Sequence, residues 1–209
     1  ATILMYSRLL REGKARQQDK AERFLGVIER ESDRLQRMVR QMLDLARLET
    51  RELQRSPEPV LINSLFDETL PPLAERAVEK GLLFRQRIQP DLPPVMGSID
   101  VYDMALKNLL DNAIKFTPSG SVQIAAWSDD QEVTIEVSDE GIGIPAEAMN
   151  NLFKRFYRTQ TAVERGIAGT GLGLYMVKEN LRSYNGQIAV QSTLGKGSTF
   201  TIRLPIAQV

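Results

Sequence analysis

Apolar residues in the first quarter of the chain recur with a helical period. From Phe24 they follow in alternating steps of four and three as far as Leu45, with one polar interruption at Glu31. This heptad pattern predicts a long amphipathic helix, and a shorter apolar run, ATILMYSRLL, precedes it. Two such helices bury their own apolar stripes poorly. We therefore expect a helical hairpin that a second copy of the chain completes into a four-helix bundle, with a hairpin packed on its own downstream domain as the alternative.

A different pattern begins after SPEP, Ser56 to Pro59. Proline disfavours the helical conformation of the residue before it, so the long helix is predicted to end there. Alternating runs such as EVTIEVS and STFTIRLP then predict strands, with helical stretches near 63–80, 100–116, 145–154 and 171–184. Such a mixture favours an α+β fold in which helices pack on one face of a sheet. The predicted domains are residues 1–56, a dimerisation hairpin, and residues 57–209.

Composition excludes several classes of function. The 27 basic and 27 acidic residues balance, which gives no electrostatic argument for binding nucleic acid. No cysteine is present, so disulfides and thiolate metal sites are excluded and a reducing compartment is compatible. No apolar run approaches the roughly 18 residues of a membrane span, so this segment is expected to make no membrane contact. The absence of histidine removes Ser-His-Asp and Cys-His catalysis within these 209 residues.

One helical stretch carries unusual polar residues. In LKNLLDNAIKFTPSG, Asn108, Asn112 and Lys115 fall within a narrow arc, opposite the apolar Leu106 and Leu110. Asparagine forms helices less readily than the charged residues that usually cover an exposed face. Two of them in one arc therefore indicate a functional role.

Two glycine-rich segments are candidates for ligand binding. DEGIGIP, from Asp139 to Pro145, follows a predicted strand, and its carboxylate could accept a hydrogen bond from an exocyclic amine. GTGLGLYMVKENL, from Gly169 to Leu181, places glycines before a helix, where free backbone N–H groups suit phosphates. It matches neither a Walker A loop nor the dinucleotide fingerprint. A simple glycine turn and a flexible loop without ligand are the alternatives.

Between these segments, LFKRFYRT combines aromatic residues with Lys154, Arg155 and Arg158. The basic residues could reach a polyphosphate, although a solvated charge run is the common explanation. The polar QTAVERGIA that follows predicts a mobile loop able to close over a ligand.

Five segments in this order resemble the motifs of bacterial sensor histidine kinases: NLLDNAIKFTP, DEGIGIP, LFKRFYR, GTGLGLYMVK and GKGSTFTIRLP. The resemblance covers almost the whole chain, including the hairpin. It implies a Bergerat-type α/β sandwich with a mixed sheet, in which Mg-ATP is held beneath a loop. It also implies a two-component system, in which the γ-phosphoryl group passes to a histidine and then to the receiver domain of a response regulator docked on the hairpin.

The resemblance assigns roles to particular residues. Asn112 would ligate Mg²⁺, Asn108 would support the nucleotide or metal, and Lys115 would approach the phosphates. Phe116 would lie beside the adenine, and Asp139 would accept a hydrogen bond from its amine. The other implied positions are Gly141, Gly143 and Ile144 at the base, Arg155 and Arg158 as candidate phosphate contacts, Gly169, Thr170, Gly171, Leu172, Gly173 and Leu174 along the triphosphate and at the hinge of the lid, and Thr199 as a hydroxyl near adenine.

Related gyrase-type ATPases carry a water-activating glutamate where this chain has Asn108, so the resemblance favours a kinase over an ATPase. The alternatives are an ATPase of the same fold and a non-catalytic dimerisation module that binds nucleotide. Kinases of this family are phosphorylated on a histidine in a segment such as HELRTPL, whereas this sequence opens with ATILMYSRLL. We expect the chain to be the cytoplasmic part of a longer sensor whose acceptor histidine lies upstream, or else a degenerate kinase that serves as a scaffold.

Overall fold

The structure is a computed structural model that describes residues 2–14, 18–49 and 56–207. The chain divides into two compact units, Ala1–Thr50 and Arg51–Val209. We call them the hairpin unit and the sheet unit. The predicted boundary near residue 57 stays a prediction, because residues 50–55 lie outside the described ranges.

The hairpin unit consists of two helices of unequal length. Helix α1 (Thr2–Arg11) has 10 residues and α2 (Gln18–Glu49) has 32. At about 1.5 Å per residue, α1 extends for roughly 15 Å and α2 for roughly 48 Å. The ring of Tyr6 meets that of Phe24 edge to face at 5.0 Å. Helix α1 is therefore long enough to cover only part of the length of α2.

Apolar side chains of the hairpin unit remain exposed. No residue of α1 is buried. On α2, Leu35 is 51% exposed, and Val39 and Leu43 are each 55% exposed. The predicted helical hairpin is confirmed. The side chains of Met38, Met42 and Leu45, which belong to the predicted heptad series, lie outside the described side chains.

The sheet unit alternates helices and strands. Its elements are β1 (Glu58–Val60), α3 (Ile62–Glu79), β2 (Leu83–Ile88), β3 (Val95–Gly97), α4 (Ile99–Phe116), β4 (Ser121–Ser128), β5 (Glu132–Asp139), a 3₁₀ helix (Ala146–Asn151), α5 (Gln160–Glu164), α6 (Gly173–Arg182), β6 (Gln187–Thr193) and β7 (Gly197–Pro205). The helix predicted near 145–154 is thus a 3₁₀ helix. The segment predicted as a mobile loop, QTAVERGIA, begins with the short helix α5.

Five strands form one mixed sheet in the order β2-β4-β5-β7-β6, and β1 pairs with β3 in a separate two-stranded sheet. Strand β2 runs parallel to β4, and the remaining neighbours are antiparallel. The predicted α+β class with a mixed sheet is confirmed. None of the helices in the described ranges is long and apolar enough to cross a bilayer.

Alternation along the central strands decides which face of the sheet meets the helices. Val137 of β5 pairs with Phe200 of β7, and both are buried in one core with Leu106, Leu110 and other residues of α3, α4 and α6. The intervening residues point to the other face, where Trp127 of β4 is 41% exposed. One face of the sheet therefore packs on helices.

The C-terminal turn of α4 is held by a neighbouring helix. Lys80, just after α3, donates from Nζ to the carbonyls of Ile114 at 2.6 Å and Lys115 at 3.1 Å. These carbonyls have no partner within their own helix, and a cation there also favours the helix dipole. The hydroxyl of Thr117 donates to the carbonyl of Ala113 at 2.7 Å. The last turn of α4 is therefore fixed in place.

Candidate functional site

The polar arc of α4 is half-buried, and the opposite arc forms core. Leu106 and Leu110 are buried, whereas Asn108, Asn112 and Lys115 are partly accessible. Asn108 donates from Nδ2 to the carbonyl of Met104 at 3.1 Å. Its Oδ1 therefore remains free to accept. Among the described residues, the side chain of Asn112 has no hydrogen-bond partner.

Two cations meet at the end of this arc. The Nζ of Lys115 lies 4.7 Å from the ring centroid of Phe116, and Arg158 donates from Nη2 to the carbonyl of Ile167. Burial lowers the pKa of Lys115, the nearby Arg158 lowers it further, and Asp111 partly opposes both. A half-buried ammonium beside a guanidinium is a site that an anion would stabilise.

The glycines of GTGLGL lie against three separate parts of this site. A Cβ placed on Gly169 would lie 3.2 Å from the Nζ of Lys115. A Cβ on Gly171, whose φ is +76°, would lie 2.6 Å from the carbonyl carbon of Phe156. A Cβ on Gly173 would collide with the Oδ1 of Asn108. At Gly171 the positive φ and the nearby backbone of Phe156 require glycine, whereas Gly169 and Gly173 lie against the ends of side chains.

The other residues of this loop have different environments. Leu172 is buried, and Leu174 packs against the core of the sheet unit. The hydroxyl of Thr170 accepts from the N–H of Leu172 at 3.3 Å. The two leucines therefore anchor the start of α6 on the core of the sheet unit.

The DEGIGIP loop joins the end of β5 to the end of α4. Asp139 accepts from the N–H of Gly141 at 2.8 Å, and the N–H of Ile142 donates to the carbonyl of Phe116 at 3.1 Å. Burial raises the pKa of Asp139, although backbone N–H groups of Gly141 and Ser198 oppose this. The predicted base contacts Phe116 and Asp139 are thus linked through one loop.

The same loop is also fastened to the turn between β6 and β7. The N–H of Gly195 donates to the carbonyl of Ile142 at 2.8 Å. Ile144 packs its side chain on the core and donates from its N–H to the hydroxyl of Ser192 at 2.8 Å. Gly143 has a φ of +65°, and a Cβ there would collide with the carbonyl of Thr193.

Strand register separates Thr199 from Asp139. Asp139 pairs with Ser198, and Thr199 pairs with Ser138. Because successive side chains alternate between faces, Ser198 shares a face with Asp139 and Thr199 lies on the other. Both strands line one open depression that includes Asp139 and Thr199, yet the pleat turns these two side chains apart. Of the two hydroxyl groups, that of Ser198 shares a face with Asp139, and the place of Thr199 near adenine stays a prediction.

Arg155 is directed toward α6. Its Nη2 donates to the hydroxyl of Tyr175 at 2.7 Å, and its guanidinium lies 4.7 Å from the centroid of that ring. The Nζ of Lys178 lies 5.6 Å from the centroid of Phe153. Two cation–π contacts thus attach the LFKRFYR segment to α6. Of the two arginines predicted to meet phosphate, Arg158 lies beside Lys115, whereas Arg155 bonds to Tyr175.

Family models match both parts of the chain. The model described as Histidine kinase-, DNA gyrase B-, and HSP90-like ATPase matches residues 98–208, and the His Kinase A (phospho-acceptor) domain matches residues 1–51. The chain therefore belongs to the sensor histidine kinases, with a catalytic ATP-binding domain of the type that this family shares with DNA gyrase B and HSP90. The family predicted from the five motifs is confirmed.

Individual relatives support this family assignment. The circadian input-output histidine kinase CikA of Synechococcus elongatus is 32% identical over 211 residues, which cover 97% of this chain and 27% of CikA. Sensor protein SrrB of Staphylococcus aureus is 32% identical over 206 residues, which cover 96% of this chain and 34% of SrrB. The chain thus spans about a quarter to a third of these two relatives.

Solved structures share the fold. The crystal structure of full-length ShkA in complex with AMPPNP has a TM-score of 0.76 and 28% identity, and the match covers 92% of this chain and 40% of ShkA. The Acinetobacter baumannii histidine kinase AdeS has a TM-score of 0.72, and the match covers 100% of this chain and 96% of AdeS. Its identity of 22% supports the fold alone.

Proposed function

We propose that this chain binds Mg-ATP and catalyses transfer of the γ-phosphoryl group to a histidine, for relay to a response regulator. One observation carries the proposal: Lys115, on the same face of α4 as the amides of Asn108 and Asn112, meets Arg158 beside Gly169 of the glycine loop. The AMPPNP complex of ShkA supports it further, since AMPPNP is an ATP analogue.

The donor set fits magnesium held jointly with a nucleotide. Mg²⁺ prefers oxygen ligands and usually takes one or two from the protein, with phosphates and water supplying the rest. Within the described ranges, no group of three or more acidic, histidine or cysteine residues is placed so that it could hold a metal ion. The amide oxygen of Asn112 would hold the ion, which would neutralise charge on the triphosphate, and Asn108 has a free Oδ1 nearby.

The residues of the chain contribute positioning and charge. Lys115 and Arg158 would balance the phosphate oxygens, and backbone N–H groups from Gly169 to Gly173 would bind them. Phe116 and Asp139 would hold the base. Asn108 has an amide, which lacks the basicity needed to activate water. Phosphoryl transfer is therefore favoured over hydrolysis.

Exposed apolar residues on α2 support a homodimer through the hairpin unit. Leu35, Val39 and Leu43 lie at successive steps of four, which places them along one stripe. A second copy of the chain would cover this stripe in a four-helix bundle. The bundle is also the proposed docking surface for the receiver domain of the response regulator, and the cytoplasm, where ATP is supplied, is the proposed location.

Transfer of label between two versions of the chain tests the proposal. The present sequence would be mixed with γ-labelled ATP, Mg²⁺ and a version extended at its N-terminus by HELRTPL and disabled by Asn112→Ala. Acid-labile label on the extended version is the expected result. A parallel mixture in which both versions carry Asn112→Ala is the matched control.

Absence of label, with ATP binding and subunit exchange both demonstrated, would show that the chain is not a kinase. Free phosphate released in the same reaction would then identify an ATPase of this fold. Bound nucleotide without turnover would identify a non-catalytic module, the other alternative that the sequence leaves open.

A further inference from the structure

Ser192, near the end of β6, joins three parts of the sheet unit through one hydroxyl group. Its Oγ accepts from the N–H of Ile144 at 2.8 Å and donates to the carbonyl of Gly197 at 2.8 Å. The Oγ of Ser198 lies 3.0 Å from it. None of the roles described above uses this residue.

The number of available protons indicates the direction of the hydrogen bond between the two serines. A hydroxyl group has one proton to donate and two lone pairs that accept. The carbonyl of Gly197 can only accept, so the proton of Ser192 is used there, and the N–H of Ile144 takes one lone pair. With the proton of Ser192 assigned to Gly197, Ser198 donates its own proton to Ser192. What Ser198 offers to any other neighbour is a lone pair.

Ser198 stands directly across from Asp139 in the register of β5 and β7, on the same face of the sheet. We call these two side chains the Asp139–Ser198 corner. A carboxylate and a hydroxyl without a free proton both accept hydrogen bonds. Such a corner suits a group with two N–H donors, such as the exocyclic amine of adenine. It disfavours a carbonyl at the same place, because two acceptors would then face each other unpaired.

We propose that Ser192 is a positioning residue which, by holding the proton of Ser198, makes the base pocket select a 6-amino purine over a 6-oxo purine. This inference rests on the proposed function, in which the base of ATP lies at Asp139. Ser192 itself need not touch the nucleotide. It acts through the orientation of Ser198 and through the attachment of Ile144.

The test compares the affinities for ATP and ITP, whose bases differ at the 6-position, by calorimetry on the full chain. Ser192→Ala frees the proton of Ser198, which can then donate to the 6-oxo group. The preference for ATP over ITP should fall by about tenfold, the value of one hydrogen bond. Ser192→Thr keeps a hydroxyl group at this position and should retain the preference for ATP over ITP. Gln191→Ala, an exposed neighbour on the other face of β6, is the matched control and should change nothing.

A double variant distinguishes an effect of Ser192 on purine preference from a purely structural effect. If Ser192 acts through Ser198, then Ser192→Ala combined with Ser198→Ala should show the same preference as Ser198→Ala alone. An equal loss of affinity for ATP and ITP in Ser192→Ala would reveal a purely structural role and overturn the inference, as would an unchanged preference. Failure of the unsubstituted chain to bind ATP would instead refute the proposed function, and the inference with it.

Discussion

The hairpin unit and the sheet unit differ in where their apolar side chains lie. In the sheet unit, Leu110 and Val177 are completely buried in a core that α3, α4, α6 and the sheet share. In the hairpin unit, Leu35, Val39 and Leu43 are more than half exposed. The sheet unit therefore has a core of its own, whereas no side chain described in the hairpin unit is buried, and its exposed apolar stripe would need a second layer to be covered. Substitutions can test this contrast.

The largest effect is expected where the second layer would form. Leu35→Glu combined with Leu43→Glu would place charges inside a dimer interface, and removing charges from water without partners is costly. Dimerisation should weaken by about a thousandfold or more. Sedimentation equilibrium would measure this.

Glu29→Ala, an exposed polar position on the same helix, is the control for that change and should leave the dimer intact. A dimer that survives both glutamates would place the subunit contact elsewhere. The melting of the sheet unit should be the same in all three proteins.

The second prediction compares one truncation in each unit. Leu110→Ala removes a completely buried side chain and should destabilise the sheet unit by about 2–5 kcal/mol. Leu10→Ala truncates a residue of α1 that is only partly buried, and should cost the hairpin unit markedly less. Native-state hydrogen exchange of amides in α4 and α2 would measure the two separately. Equal losses of stability in Leu110→Ala and Leu10→Ala would contradict the proposed difference between the two units.

A smaller effect concerns the end of α4. Lys80→Met removes the ammonium that binds the carbonyls of Ile114 and Lys115, and should destabilise the sheet unit by about 1 kcal/mol. Lys107→Met breaks only an exposed pair with Asp103 and should cost less than about 0.5 kcal/mol. Chemical denaturation would rank the two variants. The reverse order would show that the cap contributes little.

The smallest effect is a dependence on pH. Burial raises the pKa of Asp139, so the folded state holds this proton more tightly than the unfolded state does. Ionisation therefore costs stability as pH rises from the ordinary range near about 4 through the raised pKa. Asp139→Asn lacks this group, and its stability relative to the unsubstituted chain should increase over that interval. Denaturation curves at a series of pH values would measure it, and a constant difference would contradict it.

Sequence patterns predicted much of the sheet unit because its periodicities are strong. The polar arc of α4 was visible since Asn108 and Asn112 contradict the usual composition of an exposed helix face. The inward side of β7 followed from the alternation of Phe200, Ile202 and Leu204. That alternation also places Ser198 inward, on the face that carries Asp139, whereas the contact of Thr199 with adenine stays a prediction.

Other features depend on contacts between distant parts of the chain. The bond from Ile144 to Ser192 spans 48 positions, and nothing in the composition of β6 indicates it. The hydrogen bond between Arg155 and Tyr175 joins the LFKRFYR segment to α6, and neither segment has a sequence pattern that indicates the other as its partner. Hydrogen bonds of single side chains leave no periodic trace, which is why these partners emerge only in three dimensions.

Trp127, on the open face of the sheet, gives the molecule a built-in optical reporter. It is the single tryptophan of the chain. Tryptophan fluorescence therefore reports on the unfolding of the sheet unit and not on that of the hairpin unit. Ellipticity at 222 nm, in contrast, is dominated by helices and includes the long α2. Two instruments applied to one unlabelled sample will therefore show whether the two units melt together or one after the other.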